Sequence, residues 1–141
     1  MKVVVQRVKH TSLSVNGQLI SEIPFGLAVY LGVKVGDTDD MPAQMAKKIA
    51  AMRIFEDENG KMNLSVRDVG GEILLISQFT LYGDCSHGNR PGFTMAERPE
   101  HADMLYERTA EELRMLGVTV KTGVFGADMK IEQYNDGPVT I

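Results

Sequence analysis

Glu72-Ile73-Leu74-Leu75-Ile76-Ser77-Gln78-Phe79-Thr80-Leu81-Tyr82 opens on four consecutive aliphatic residues and closes on hydroxyl, amide and aromatic ones. An apolar run bounded by polar residues predicts a strand buried on both faces, so 72–82 is read as a central strand. Residues 25–33 (Phe25-Gly26-Leu27-Ala28-Val29-Tyr30-Leu31-Gly32-Val33) form a second such run and a second buried strand. Outward from these, 2–10 and 12–23 alternate as strands, the latter folded into a hairpin at Asn16-Gly17, a pair suited to a two-residue turn. Residues 53–64 read as a strand, a tight turn at Asn59-Gly60 and a return. Three short strands are expected near 118–124, 128–134 and 137–141.

Two segments carry helical spacing instead. Residues 39–53 follow a polar loop, accept Pro42 in the first turn and place Met45, Ile49 and Met52 along one face. Residues 99–116 begin with Pro99 and Glu100, and turn Leu105, Tyr106, Leu113 and Leu116 toward a core. Two helices among many strands, joined by hairpins rather than a regular βαβ alternation, predict an α+β fold. Its sheets should be mostly antiparallel, with the helices packed on one side.

The chain of 141 residues is short enough for a single domain, 1–141, and long enough to bury roughly two-thirds of its unfolded surface. No apolar run approaches the ~20 residues a membrane-spanning helix needs, so no membrane partner is expected. The one cysteine, Cys85, permits no internal disulfide and suits a reducing cytoplasm. A net charge of −4 argues against a protein that coats nucleic acid, but not against one that grips only an RNA end. Nothing in the sequence calls for a metal or cofactor: there is no Walker loop, dinucleotide fingerprint or zinc spacing. His10, His87 and His101 are scattered, and none has a carboxylate partner evident in sequence.

Two segments carry candidate chemistry. Ser77-Gln78-Phe79-Thr80 brings polar side chains to the end of a buried strand, where each must be hydrogen-bonded or face a cavity. One reading has Ser and Thr bonding neighbouring backbone; the other leaves backbone N–H groups free to receive an oxyanion. Asn135-Asp136-Gly137-Pro138-Val139-Thr140 carries a Gly-Pro step, read either as an ordinary turn or as a rigid cis-linked wedge.

Together, Ser77-Gln78-Phe79-Thr80-Leu81 and Asn135-Asp136-Gly137-Pro138-Val139-Thr140 resemble the motif pair of the D-aminoacyl-tRNA deacylases, also called D-tyrosyl-tRNA deacylases. Gln6-Arg7-Val8, Arg53-Ile54-Phe55, Gly60-Lys61-Met62-Asn63, Gly88-Asn89-Arg90-Pro91 and Ala127-Asp128-Met129 extend the likeness over essentially the whole chain. The chain departs from the usual pattern at the Asp84-Cys85-Ser86-His87 loop, which carries few basic residues, and at Gly92, where serine is common.

The resemblance implies a homodimer of layered β/β/α architecture with its active site at the subunit interface. It implies a substrate of tRNA whose 3′ acceptor end carries a D-amino acid or glycine, hydrolysed at the ester. Ser77, Gln78, Phe79 and Thr80 would be the catalytic segment. Gly137 and Pro138, as a cis pair, would reach into the partner's pocket and reject L-amino acids, with Arg7, Asn135 and Met129 in support. Arg7 reads either as a donor holding that turn or as a surface arginine. Met62 and Met129 read as a slot for the adenine ring or as core, and Lys61 and Arg90 as phosphate contacts or solvated charge. Thr80 as nucleophile competes with an RNA hydroxyl that activates water. A binding module without turnover and a general esterase are the competing function classes.

Overall fold

The computed structural model describes residues 1–141. Eight strands and two helices follow in the order β1 (Lys2–Val15), β2 (Gln18–Ile23), β3 (Gly26–Gly32), α1 (Met41–Ala51), β4 (Phe55–Glu56), β5 (Met62–Leu64), β6 (Glu72–Ser77), α2 (Pro99–Met115), β7 (Val120–Thr122) and β8 (Met129–Thr140). A 3-10 turn, Phe79–Tyr82, follows β6. The expected α+β class is found, with one six-stranded sheet that curls toward a barrel and a separate β4–β5 ribbon. At the closing edge the Ser21 hydroxyl donates to the Thr122 carbonyl (2.6 Å) and Lys121 Nζ to the Glu22 carbonyl (2.6 Å).

Both apolar runs are strands buried on two faces, for the reason their composition gives. Ile73 and Leu75 point to the helices and share the larger core with Leu27, Val29, Ile49, Leu105 and Leu113. Leu74 and Ile76 point into the curl and pack with Val8, Leu13, Ile23 and Ala28. Each such side chain, withdrawn from water, stabilises by roughly 1.5–3 kcal/mol. The sheet is nevertheless mixed. β1 pairs antiparallel with β2, β3 and β8, but β6 runs parallel to both β3 and β7. Four of the six strand pairings are antiparallel, as expected, and the two parallel ones lie at the centre and far edge of the large sheet. Crossovers through α1 and α2 bring the chain back to start each new strand at the same end. In place of separate β/β/α layers, one curled sheet carries both helices on one side.

Several boundaries also differ from the sequence reading: the strand read at 2–10 and the first arm of the hairpin read at 12–23 are one strand, β1, and the strand read near 118–124 is confined to Val120–Thr122. The 72–82 strand ends at Ser77: the Gln78 N–H makes the last ladder bond, to the Leu31 carbonyl (2.8 Å), and the chain then coils into the 3-10 turn. The helix read over 39–53 is confined to Met41–Ala51. The strands read at 128–134 and 137–141 are one strand, β8, continuous through the Gly-Pro step.

Candidate active site

β6 delivers the Ser77–Thr80 segment to the wall of a cavity of about 620 Å³. Ser77, Gln78 and Phe79 line it, together with Leu31, Tyr106 of α2 and the 125–131 stretch that leads into β8. The wall is predominantly apolar, and its two charged side chains, Glu97 and Asp128, are both acidic. Gly32 makes the turn possible: a Cβ there would stand 2.9 Å from the Gln78 carbonyl oxygen and 3.2 Å from Leu81 Cβ. Phe79 and Thr80 open the 3-10 turn, and residues at that position have N–H groups with no acceptor inside it. Phe79, 58% exposed, meets Phe93 edge to face with ring centroids 5.0 Å apart at the cavity mouth. Deeper in, the Tyr106 hydroxyl donates to the Leu75 carbonyl (2.8 Å), and burial pushes its pKa well above the ordinary phenol value.

Thr80 is exposed and does not line the cavity; its hydroxyl accepts a hydrogen bond from the Gln78 amide. No carboxylate, imidazole or amine hydrogen-bonds to it.

The Gly137-Pro138 bond is cis, and Gly137 has φ +118°. Its place in the fold follows from a break in strand register. Gln6 pairs with Thr140 and Val8 with Asn135, so Arg7 alone stands opposite the four residues 136–139, which loop out of the ladder. Arg7 fills the space beneath them. It is 5% exposed, donates from Nη1 to the Ile54 carbonyl (2.7 Å) and holds the Asp136 carboxylate 3.0 Å from Nε. The surface-arginine reading is thus corrected. The ring of donors grips the turn through the Asp136 side chain and the β4 approach. On the strand's other side, Gln133 donates to Gln6 Oε1 (2.8 Å) and to Asn135 Oδ1, so Asn135 is held where the loop leaves the ladder.

Gly137 and Pro138 are exposed, and neither lines the cavity beneath Ser77–Phe79. Within one chain the two motifs do not meet. Met129 does line the cavity, half-buried against the inner core, whereas Met62 is 59% exposed and lies outside it. Lys61 and Arg90 are exposed. Sequence reading missed Phe93, Glu97, Ala102 and Phe125 as cavity residues. Ala102 and Tyr106 are one helical turn apart, a spacing that marks only a face. Phe125 gave no local signal beyond its turn-like Gly123-Val124-Phe125-Gly126 setting.

The model of the D-Tyr-tRNA(Tyr) deacylase family matches residues 4–141. The chain belongs to that family. It is 56% identical, over 100% of its length and 93% of the relative's, to the D-aminoacyl-tRNA deacylase of Geobacillus sp. (strain WCH70). The D-aminoacyl-tRNA deacylase of Halalkalibacterium halodurans is 54% identical over 100% of this chain and 97% of its own. Among solved structures, a c-Myc DNA unwinding element binding protein superposes with TM-score 0.93 at 44% identity, covering 100% and 96% of the two chains. A probable eukaryotic D-amino acid tRNA deacylase gives TM-score 0.85 at 19% identity over 99% and 96%, a likeness of fold. The family match spans every segment that carried the resemblance, from Gln6-Arg7-Val8 to the Gly137-Pro138 loop.

Proposed function

We propose that this chain hydrolyses the ester linking a D-amino acid to the 3′ end of tRNA, releasing free tRNA and the amino acid. The observation that carries this reading is the cavity at the end of β6. Ser77, Gln78 and Phe79 line an apolar chamber of about 620 Å³ there, at the start of the 3-10 turn that Phe79 and Thr80 open, in a chain of the deacylase family. An aminoacyl ester is already reactive, so modest stabilisation of the transition state suffices. The N–H groups of Phe79 and Thr80 polarise the ester carbonyl, and Gln78 orients the substrate. Water adds to the carbonyl carbon, the tetrahedral oxyanion collapses, and the ribose oxygen leaves with a proton. A neighbouring ribose hydroxyl of the terminal adenosine helps to activate that water. The exposed Thr80 hydroxyl, with no base beside it, favours this route over a nucleophilic threonine.

The active unit in this reading is a homodimer, in which Gly137 and Pro138 of one protomer enter the partner's cavity. Their exposure, and their separation from their own chain's cavity, supports it. The loop then blocks an L side chain, while a D side chain points away and glycine, having none, passes. The substrate places the reaction in the cytoplasm, where tRNA is charged.

The test is deacylation of matched D- and L-aminoacyl-tRNA, with glycyl-tRNA and a simple amino-acid ester alongside. Hydrolysis of the D and glycyl substrates, with the L substrate spared, is expected. Equal rates for both hands sink chiral selection, and equal rates on the simple ester point to a general esterase.

A further inference from the structure

Gln6 and Arg7 are consecutive on β1, so their side chains leave the strand on opposite faces. Arg7 holds the looped-out segment from one face, through Asp136. From the other face Gln6 reaches both of its ends. Gln6 Nε2 donates to the Thr140 hydroxyl (3.3 Å), where β8 rejoins the ladder. Gln6 Oε1 accepts from Gln133 Nε2 (2.8 Å), and Gln133 also donates to Asn135 Oδ1, where β8 leaves the ladder. The proposed reaction gives Gln6 and Gln133 no part.

The chain of bonds has a further anchor on β3, a strand that does not pair with β8. The Tyr30 hydroxyl donates to Gln133 Oε1 (3.1 Å). Both N–H groups of the Gln133 amide and its oxygen are then engaged, and a flipped amide would turn its oxygen toward two acceptors. The network therefore admits one orientation. Tyr30 is half-buried, and burial raises its pKa above the ordinary phenol value, so the hydroxyl keeps the proton that it donates. β3 in turn pairs with β6, with Tyr30 opposite Ile76 and Leu31 opposite Ser77. The two ends of the loop are thus tied to the strand pair that carries the Ser77–Thr80 segment.

We propose that Tyr30, Gln133 and Gln6 form a positioning relay for the chiral gate. It fixes where the Gly137-Pro138 loop leaves and rejoins β8, and so sets how strictly L-aminoacyl esters are refused. A gate that tells one hand from the other needs such fixing, because a misplacement of about 1 Å undoes this kind of geometry. The inference rests on the deacylase reading and adds to it the residues that set its stringency.

The readout is the ratio of single-turnover rates on L- and D-aminoacyl-tRNA carrying the same amino acid. Y30F removes the hydroxyl at one end of the relay, and T140V removes the acceptor at the other. Each should raise the L-to-D ratio roughly fivefold, the scale of one neutral hydrogen bond, chiefly through a faster L reaction. Since one relay joins the two sites, the double variant should fall short of the product of the single effects. I49V is the control: it thins the core on the helix side and should lower the melting temperature without moving the ratio. Ratios in Y30F and T140V that match the wild type, or that move as far in I49V, overturn the inference while D-aminoacyl-tRNA turnover upholds the reaction. A double variant that shows the full product overturns the single relay. Absence of D-aminoacyl-tRNA turnover in the wild type overturns the deacylase reading and this inference with it.

Discussion

Arg7 shows how one side chain converts a register slip into a defined turn. Facing four looped-out residues, it is buried and ion-paired to Asp136 at 3.0 Å, with Glu56 4.0 Å from Arg7 and Lys9 3.6 Å from Asp136 as outer partners. Removing one partner of a buried pair strands the other, but Asp136 is 26% exposed and can recover water. Arg7→Ala is therefore expected to cost about 2–3 kcal/mol, below the full penalty of a sealed pair, as read by chemical denaturation. Arg7→Lys should recover only part of it, because an ammonium cannot serve Ile54 and Asp136 together. Thr80 provides the opposite case, a side chain whose chemistry is not needed. Removing a true nucleophile costs on the order of 10⁴-fold or more; Thr80→Ala should keep kcat within about threefold, and a collapse of single-turnover rate would restore the nucleophile. The sequence supplied the identity of these residues and their family motif. It did not show that Arg7 is buried, because burial is set by Ile54 ahead of β4 and by β8 alongside β1, which lie far away along the chain.

At the scale of elements, the apolar runs were legible because burial on both faces forces unbroken hydrophobicity. Their ends were not. β6 leaves the ladder after its last bond to the Leu31 carbonyl, where the 3-10 turn Phe79–Tyr82 packs against Gly32 of β3, a neighbour far off along the chain. The start of α2 carries a comparable long-range tie. His101 meets Glu97 at 3.3 Å and, across the gap to the segment before α1, Asp39 at 3.6 Å. Its hydrogen bond to Glu97, then that to Asp39, raise the imidazole pKa above its ordinary value. A raised folded-state pKa gives stability that is full below the unfolded value, near about 6.5, and lost as pH rises through the folded value. The difference in melting temperature between wild type and His101→Gln should be widest near about pH 5.5 and shrink toward about pH 8.5. A difference flat across that range would remove the imidazolium from the account. Glu97, four residues earlier, lay within local reach of His101; only the approach of α1 and α2 adds Asp39.

For the whole molecule, the separation of two motifs within one chain becomes a prediction about two chains. If Gly137-Pro138 serves the partner's cavity, a protomer damaged at Gln78 and another damaged at Gly137 should complement each other. Co-expressed and purified as a mixed dimer, Q78A and G137V protomers should recover about half the wild-type activity, since one of the two sites is intact. Each variant alone should be inactive; a mixed dimer that stays inactive places both motifs in one chain's site. The sequence by itself determined the α+β class, the two buried runs, both helices and the order of the motifs. These depend on local periodicity and on residue types that neighbouring positions are enough to interpret. Tertiary structure alone decided the parallel pairing at the sheet centre, the burial of Arg7 and the tie from Tyr30 to both ends of the Gly137-Pro138 loop. Each depends on which distant backbone lies alongside, and a chain's pairing partners are chosen by the packing of the whole, not by the residues on either side.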